Sequence, residues 1–130
     1  EKIYGCMNYL FRDRRNVVIV GNNAEHNSTI AAALAKASNK KCEVMAADEE
    51  TAAKLKKEQG IIIACGSEAV KNHETMRHLA ENGIVIYLQE ETDCDKCRET
   101  YGKYSEASVV YADNADAVTA EIMRITGEKE

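Results

Sequence analysis

The residues best placed to do chemistry lie between Gly21 and Thr29, in the stretch GNNAEHNST. An apolar run, Val17-Val18-Ile19-Val20, leads into Gly21, and Ser28-Thr29 opens an Ala-rich segment of helical character. Strand, loop and helix in that order hold phosphate when the loop reads G-x-x-x-x-G-K-[ST]. Backbone N–H groups then wrap the phosphates, the lysine reaches the outer oxygens, and the hydroxyl binds Mg²⁺. Laid on Gly21, that pattern puts its second glycine at His26, its lysine at Asn27 and its hydroxyl at Ser28. Only the ends agree. Histidine lacks the backbone freedom of glycine. Asn27 brings no charge to neutralise a phosphate, and Glu25 adds a negative one where phosphates would sit. Two readings follow. One is a weakened anion loop made of Gly21, Asn27, Ser28 and Thr29; the other is a plain strand-to-helix turn with Asn27 or Ser28 as helix cap.

Other reactive side chains are scattered. DCDKC, Asp93 to Cys97, holds a C-x-x-C pair open to a redox or a zinc reading, but zinc takes about four ligands and no second Cys or His pair lies close in sequence. His73 and His78 fall off a common helix face, so two cysteines one helical turn apart are the plainer reading. Cys65 ends an apolar run with no base beside it and reads as a small buried hydrophobe. Asp48, Cys65, Glu68 and Arg98 would share the carboxyl edge of a sheet, yet they form no familiar catalytic constellation.

The elements that must carry these residues alternate along the chain. Asn16–Val20, Cys42–Ala46, Ile61–Cys65, Ile84–Leu88 and Ser108–Tyr111 are short, Val- and Ile-rich runs suited to strands covered on both faces. Helix-favouring stretches separate them: Thr29–Ser38, Asp48–Glu58, Lys71–Glu81, Glu90–Tyr104 and a final Asn114–Ile125, with Lys2–Arg12 ahead of the first strand. Gly60 and Asn82-Gly83 read as helix stops, and Asp48 and Asn114 as helix starts. The order predicts a three-layer αβα domain around a five-stranded parallel sheet with right-handed crossovers. Residues 1–130 form one domain. Ile3, Met7, Leu10 and Phe11 recur at helical spacing, so residues 1–13 either pack on that domain or connect it to a preceding one.

Composition narrows the function. A net charge of −5 argues against sequence-independent nucleic-acid binding, which needs a basic surface. No apolar run approaches the ~20 residues of a membrane span. Five scattered cysteines make a disulfide framework a poor reading and a reducing cytoplasm the better one.

Read in order, several segments resemble the shikimate kinases, small P-loop enzymes that phosphorylate shikimate with ATP and Mg²⁺. NVVIVGNNAEHNSTIAAALAKA is similar to their first strand, phosphate loop and helix, of the form N-I-V-L-I-G-x-x-G-x-G-K-S-T. VMAADEE resembles F-x-D-x-D-x-E, and IIIACGSEAVKN resembles V-I-A-T-G-G-G-A-V. HLAENGIVIYLQEE resembles L-L-x-x-N-G-x-V-V-Y-L, its most specific block, and YGKYSEASVVYADN resembles Y-E-x-x-A-D-x-V-V-D. The resemblance implies a P-loop-kinase-like fold covering nearly the whole chain. It also implies residual nucleotide contacts at Gly21, Asn27, Ser28 and Thr29, and residual substrate contacts at Asp48, Gly66 and Arg98.

The departures shape the functional expectation. Lysine is replaced by Asn27, the first Asp of D-x-D by Ala46, and the glycine turn reads Gly66-Ser67-Glu68. Between Asp48 and Gly66 the family carries an arginine-bearing substrate subdomain, and between Leu88 and Tyr101 an arginine-bearing lid. Here each gap fits one helix, so both are reduced, and Arg98 lies one residue out of register with a family arginine. The expectation is a catalytically degenerate shikimate-kinase-like domain needing no cofactor, with a structural or regulatory role in aromatic amino acid biosynthesis. Its partner would be another domain or enzyme of that pathway, since such domains occur fused behind shikimate dehydrogenase. The alternatives are a nucleotide- or anion-binding sensor, and a weakly active kinase using ATP and Mg²⁺.

Overall fold

Strand β1 (Asn16–Val20) is buried along its whole length, and its side chains divide between two separate cores. Val17 and Ile19 enter one, Val18 and Val20 the other, as the two-residue period of a strand requires. A strand covered on both faces belongs in the middle of a parallel sheet. The computed structural model, which describes residues 15–45 and 49–126, puts it there.

The elements after β1 are α1 (Ala24–Ser38), β2 (Cys42–Met45), α2 (Glu49–Leu55), β3 (Ile62–Cys65), a 3₁₀ turn (Ala69–Lys71) and α3 (His73–Glu81). Then come β4 (Gly83–Gln89), α4 (Asp95–Tyr104), β5 (Ala107–Val110) and α5 (Ala115–Thr126). The five strands run parallel in the order β2-β3-β1-β4-β5. Ile30 and Leu34 of α1 and Val118 and Ile122 of α5 pack on one face with Ile62, Ile86 and Leu88. Ala52 of α2, Met76 and Leu79 of α3, and Tyr101 of α4 pack on the other with Ile63, Val85 and Tyr87. One helix alone, α2, lies between β2 and β3 among the described residues, and α4 alone between β4 and β5. No helix among them is long and apolar enough to cross a membrane.

Several boundaries differ from the sequence reading, each for a local reason. Helix α1 begins at Ala24 rather than Thr29, because the Asn23 side chain accepts the His26 N–H at 3.0 Å and caps it there. Neither Asn27 nor Ser28 is the cap. Helix α4 begins at Asp95 rather than Glu90, since Asp93 folds back to accept the Glu90 N–H at 3.1 Å and holds residues 90–93 in a turn. Asn72 caps α3, so the helix predicted from Lys71 starts at His73 after the 3₁₀ turn. Helix α2 stops at Leu55, well before Gly60, whose φ of 68° places it in a turn ahead of β3. Gly83 opens β4, and what demands glycine there is space: a Cβ would lie 2.4 Å from the Leu79 carbonyl oxygen. Asn114 caps α5 as expected, accepting the Ala117 N–H at 3.1 Å. The predicted Lys2–Arg12 helix, the connector at 1–13, Ala46 and Asp48 lie outside the described residues.

A buried polar side chain pins the opposite edge of the sheet. Asn16, 1% exposed, accepts the Ile61 N–H at 3.1 Å and donates to the Leu55 carbonyl at 3.2 Å, tying β1 to the end of α2 and the entry of β3. Asn16→Ala strands both partners away from water and should lower stability by about 1–3 kcal/mol. Urea unfolding followed by far-UV circular dichroism would show it as a lower midpoint at unchanged slope.

Candidate functional site

In an open parallel sheet the ligand crevice lies beyond the strand carboxyl ends, where neighbouring strands send their helices to opposite faces. Strand β1 meets that condition with both β3 and β4, since α1 packs on one face and α3 and α4 on the other, and one such crevice opens between β1 and β3. Gly21 and Gly66 follow the two strands directly and border the crevice.

Asn27 spans it. At the end of the first turn of α1 and fully buried, its Nδ2 donates to the Gly21 and Cys65 carbonyls, each at 3.0 Å. One carboxamide therefore satisfies the last carbonyl of β3 and the first beyond β1. Its Oδ1 faces Gly21, where an added Cβ would lie 2.9 Å from it and 2.6 Å from the Leu88 carbonyl oxygen. Glycine is needed at 21 so that β4 and α1 can close on the chain. Ser28 is half-buried on α1, and Thr29 is exposed.

Two polar clusters fasten the short turn between β1 and α1. In the first, Asn22 donates to Asp93 at 2.9 Å and accepts from the Tyr101 hydroxyl at 2.9 Å. Asp93 also accepts from the Tyr87 hydroxyl, and the Tyr87 and Tyr101 rings stack at 4.9 Å. Burial alone would push the Asp93 carboxyl up, but hydrogen bonds from Tyr87, Asn22 and the Glu90 N–H hold it below its ordinary value. Burial pushes the Tyr87 hydroxyl well up, reinforced by its bond to Asp93, and burial pushes Tyr101 up to about 12. In the second cluster, the His26 ring sits 3.0 Å from both Glu90 carboxylate oxygens and stacks on Tyr111 at 3.7 Å. Beside the first cluster runs a groove of about 390 Å³ lined by Asn22, Ser67, Glu68, Cys94, Cys97 and Tyr101, among others.

The residues singled out in the sequence do not all meet. Gly21, Asn27 and Gly66 gather at the crevice. Arg98 sits 3.9 Å from Asp95 and lines a separate depression with Tyr87, Gln89 and Ser108. Cys65 is buried, its thiol pushed up to about 12, which suits a packed hydrophobe. Glu68 pairs with Lys71 at 3.0 Å on the surface. The joint constellation of Cys65, Glu68 and Arg98 therefore does not assemble. No group of three or more His, Cys, Asp or Glu side chains among the described residues is placed to hold a metal ion. His73 instead meets the Tyr104 hydroxyl at 3.0 Å. The sequence reading missed Asn22, Asp93, Tyr87, Tyr101, Glu90 and Tyr111. Most of their partners lie far along the chain, as with Asn22 and Tyr101 or His26 and Glu90, and spacing carries no such signal.

Sheet order, layers and crevice define a P-loop-type αβα domain. A family model described as shikimate kinase matches residues 23–123, and the chain belongs to the shikimate kinase family. The shikimate kinase of Aeromonas salmonicida is 40% identical over 42 residues, 32% of this chain and 24% of that relative's length. Among solved structures, the shikimate kinase from Acinetobacter baumannii in complex with shikimate superposes with a TM-score of 0.69 at 15% identity. That superposition covers 90% of this chain and 96% of that one. The shikimate kinase of Aquifex aeolicus gives 0.69 at 14% identity, covering 86% and 96%. At such identity these superpositions speak for the fold.

Asn27→Ala removes the donor from two buried carbonyls and should cost about 1–3 kcal/mol of stability, measurable by thermal or urea unfolding. A carboxyl held low when folded stabilises the fold fully above its unfolded value of about 3.9, and that stabilisation is lost as pH falls through the depressed folded value. Asp93→Asn should therefore flatten the fall in stability between about pH 5 and pH 2, read as urea midpoints across that range. An acid limb as steep as that of the native chain would remove Asp93 from the account.

Proposed function

We propose that this chain is a shikimate-kinase-family domain that no longer transfers phosphate. Its role is structural or regulatory within aromatic amino acid biosynthesis, carried out against another domain or enzyme of that pathway. The observation that carries this reading is the Asn27 bridge. Phosphoryl transfer depends almost entirely on positioning and electrostatic stabilisation around the transferred group. At the position of the phosphate-binding lysine, this chain has an uncharged amide that is buried and bonded to the Gly21 and Cys65 carbonyls.

The surroundings support the same reading. A phosphate loop needs free backbone N–H groups, but helix α1 starts at Ala24, and Asn23 takes the N–H groups of His26 and Asn27. Glu25 stands exposed in the first turn, where it opposes an anion. The residues at the crevice are thus a poor fit for ATP and Mg²⁺. The helix between β2 and β3 contains no arginine, and Arg98 lines a different depression from the groove beside Gly66 and Ser67.

Calorimetric titration with Mg-ATP, Mg-ADP and shikimate up to ~1 mM, a range that detects weak affinity, tests the proposal together with an assay for ADP release. The expected outcome is silence in both. Nucleotide binding without turnover would move the assignment to an anion sensor built on the start of α1. Shikimate-dependent ADP release near ~1 s⁻¹, the low end for kinases, would overturn it in favour of an active enzyme.

A further inference from the structure

We propose that Cys94 and Cys97 are a redox dithiol that closes to an intramolecular disulfide by exchange with a low-molecular-weight disulfide such as oxidised glutathione. The site stands on observations separate from the reading above.

Its geometry is that of an exchange pair. Cys94 is the N-cap of α4, with extended backbone (φ −81°, ψ 166°), and its sulfur accepts the Cys97 N–H at 3.4 Å. One helical turn on, the Cys97 sulfur lies 3.2 Å from that of Cys94. A disulfide bond of about 2.05 Å needs an approach of only about 1 Å, within reach of side-chain rotation. Cys94 is exposed and Cys97 half-exposed on the rim of the groove beside Asn22 and Ser67, so a small disulfide can reach the pair.

The surroundings separate Cys94 from the other described thiols. A C-x-x-C pair at a helix N-terminus is a setting in which the leading thiol is acidified. Hydrogen bonds from the Cys97 thiol and then from backbone N–H groups hold Cys94 below its ordinary value. Cys42 and Cys65 go the other way, chiefly through burial. The acids Asp93 and Asp95 flank Cys94 in sequence and oppose its ionisation, Lys96 on the groove wall favours it, and Lys71 there is paired with Glu68 at 3.0 Å. A metal reading has less to stand on, because no third ligand joins the pair among the described residues.

The exchange is balanced. The Cys94 thiolate attacks one sulfur of the incoming disulfide, whose S–S bond breaks to release one thiolate. Cys97 then gives up its proton and attacks the Cys94 sulfur of the mixed disulfide, releasing the second thiolate. Two protein thiols are oxidised, one small disulfide is reduced to two thiols, and the released protons pass to those thiolates or to solvent.

The test uses the full chain carrying Cys6→Ser, so that this further thiol does not compete. The protein is equilibrated across glutathione ratios, acid-quenched, alkylated after denaturation and mapped by mass spectrometry. The expected result is a peptide joining Cys94 to Cys97 that has lost two hydrogens, with Cys42 and Cys65 alkylated. In Cys97→Ser, glutathione should be trapped on Cys94 at least ~10-fold faster than on Cys97 in Cys94→Ser. Absence of the 94–97 disulfide at every ratio, a persistent glutathione adduct in the protein that keeps both cysteines, or equal trapping rates in the two variants would each overturn the proposal.

Discussion

The carboxamide of Asn27 sets the terms for the whole carboxyl edge of the sheet. A parallel strand that ends inside the protein leaves carbonyls that water cannot reach, and an unmet carbonyl there carries its full desolvation cost. Nδ2 has two hydrogens and meets two of these oxygens, one beyond β1 and one at the end of β3. Because both partners are backbone, the bridge fixes the spacing of two strands and the pitch at which α1 leaves β1. That pitch seats Ile30 and Leu34, one and two turns on, in the core beneath. A lysine amine could reach the same oxygens only by burying a charge without a countercharge, which the low-dielectric interior penalises heavily. Bridging these two carbonyls with an amide and holding a lysine at the same position are therefore alternative solutions for this edge of the sheet.

With the crevice bridged, the short turn at Asn22 and Asn23 needs outside support. It receives support from two sides. Asn22 joins the Asp93, Tyr87 and Tyr101 cluster, whose members come from β4, the turn after it and α4. His26 joins Glu90 and Tyr111, which follow β4 and β5. Both clusters mix ring stacking with hydrogen bonds to a carboxylate, so Tyr87, Tyr101 and His26 bury area without stranding a polar atom. The dithiol sits at the foot of the first cluster, one residue beyond Asp93. Its cap on α4 and the turn that Asp93 closes are consecutive steps of the same piece of chain.

What the sequence discloses follows the range of the forces involved. The strands were legible because β1, β3 and β4 are covered on both faces, which writes an unbroken apolar run. Helix starts were less so. Thr29 looked like the beginning of α1 when the preceding residues were laid on a phosphate-loop pattern, whereas the cap is Asn23 and AEHN is its first turn. Asn27 stood out for what it replaces; its two bonds could not be read, since one of them reaches Cys65, 38 residues away. Cys94 and Cys97 were visible as a spacing. Their chemistry depends on whether Cys94 lies within the helix or caps it, and the Asp93 turn, which residue types alone do not announce, decides that.

Family and activity rest on different parts of this molecule. Membership spans residues 23–123 and rests on an order of strands and helices, held by two apolar cores that flank the sheet. Where core side chains depart from the kinase pattern they mostly exchange one apolar group for another, as Val17, Ile19, Val20 and Ile86 do. The cores can therefore persist while the edge chemistry changes, because burial depends on area and shape, and phosphoryl transfer depends on a few charges placed to within an ångström. An interior amide at position 27 meets two buried carbonyls through its Nδ2, while its Oδ1 is buried without a hydrogen-bond partner. The same substitution removes the one cation that the loop pattern requires. Under the function proposed above, a domain altered in this way keeps its family by its core and acts through the surfaces that the sheet still presents.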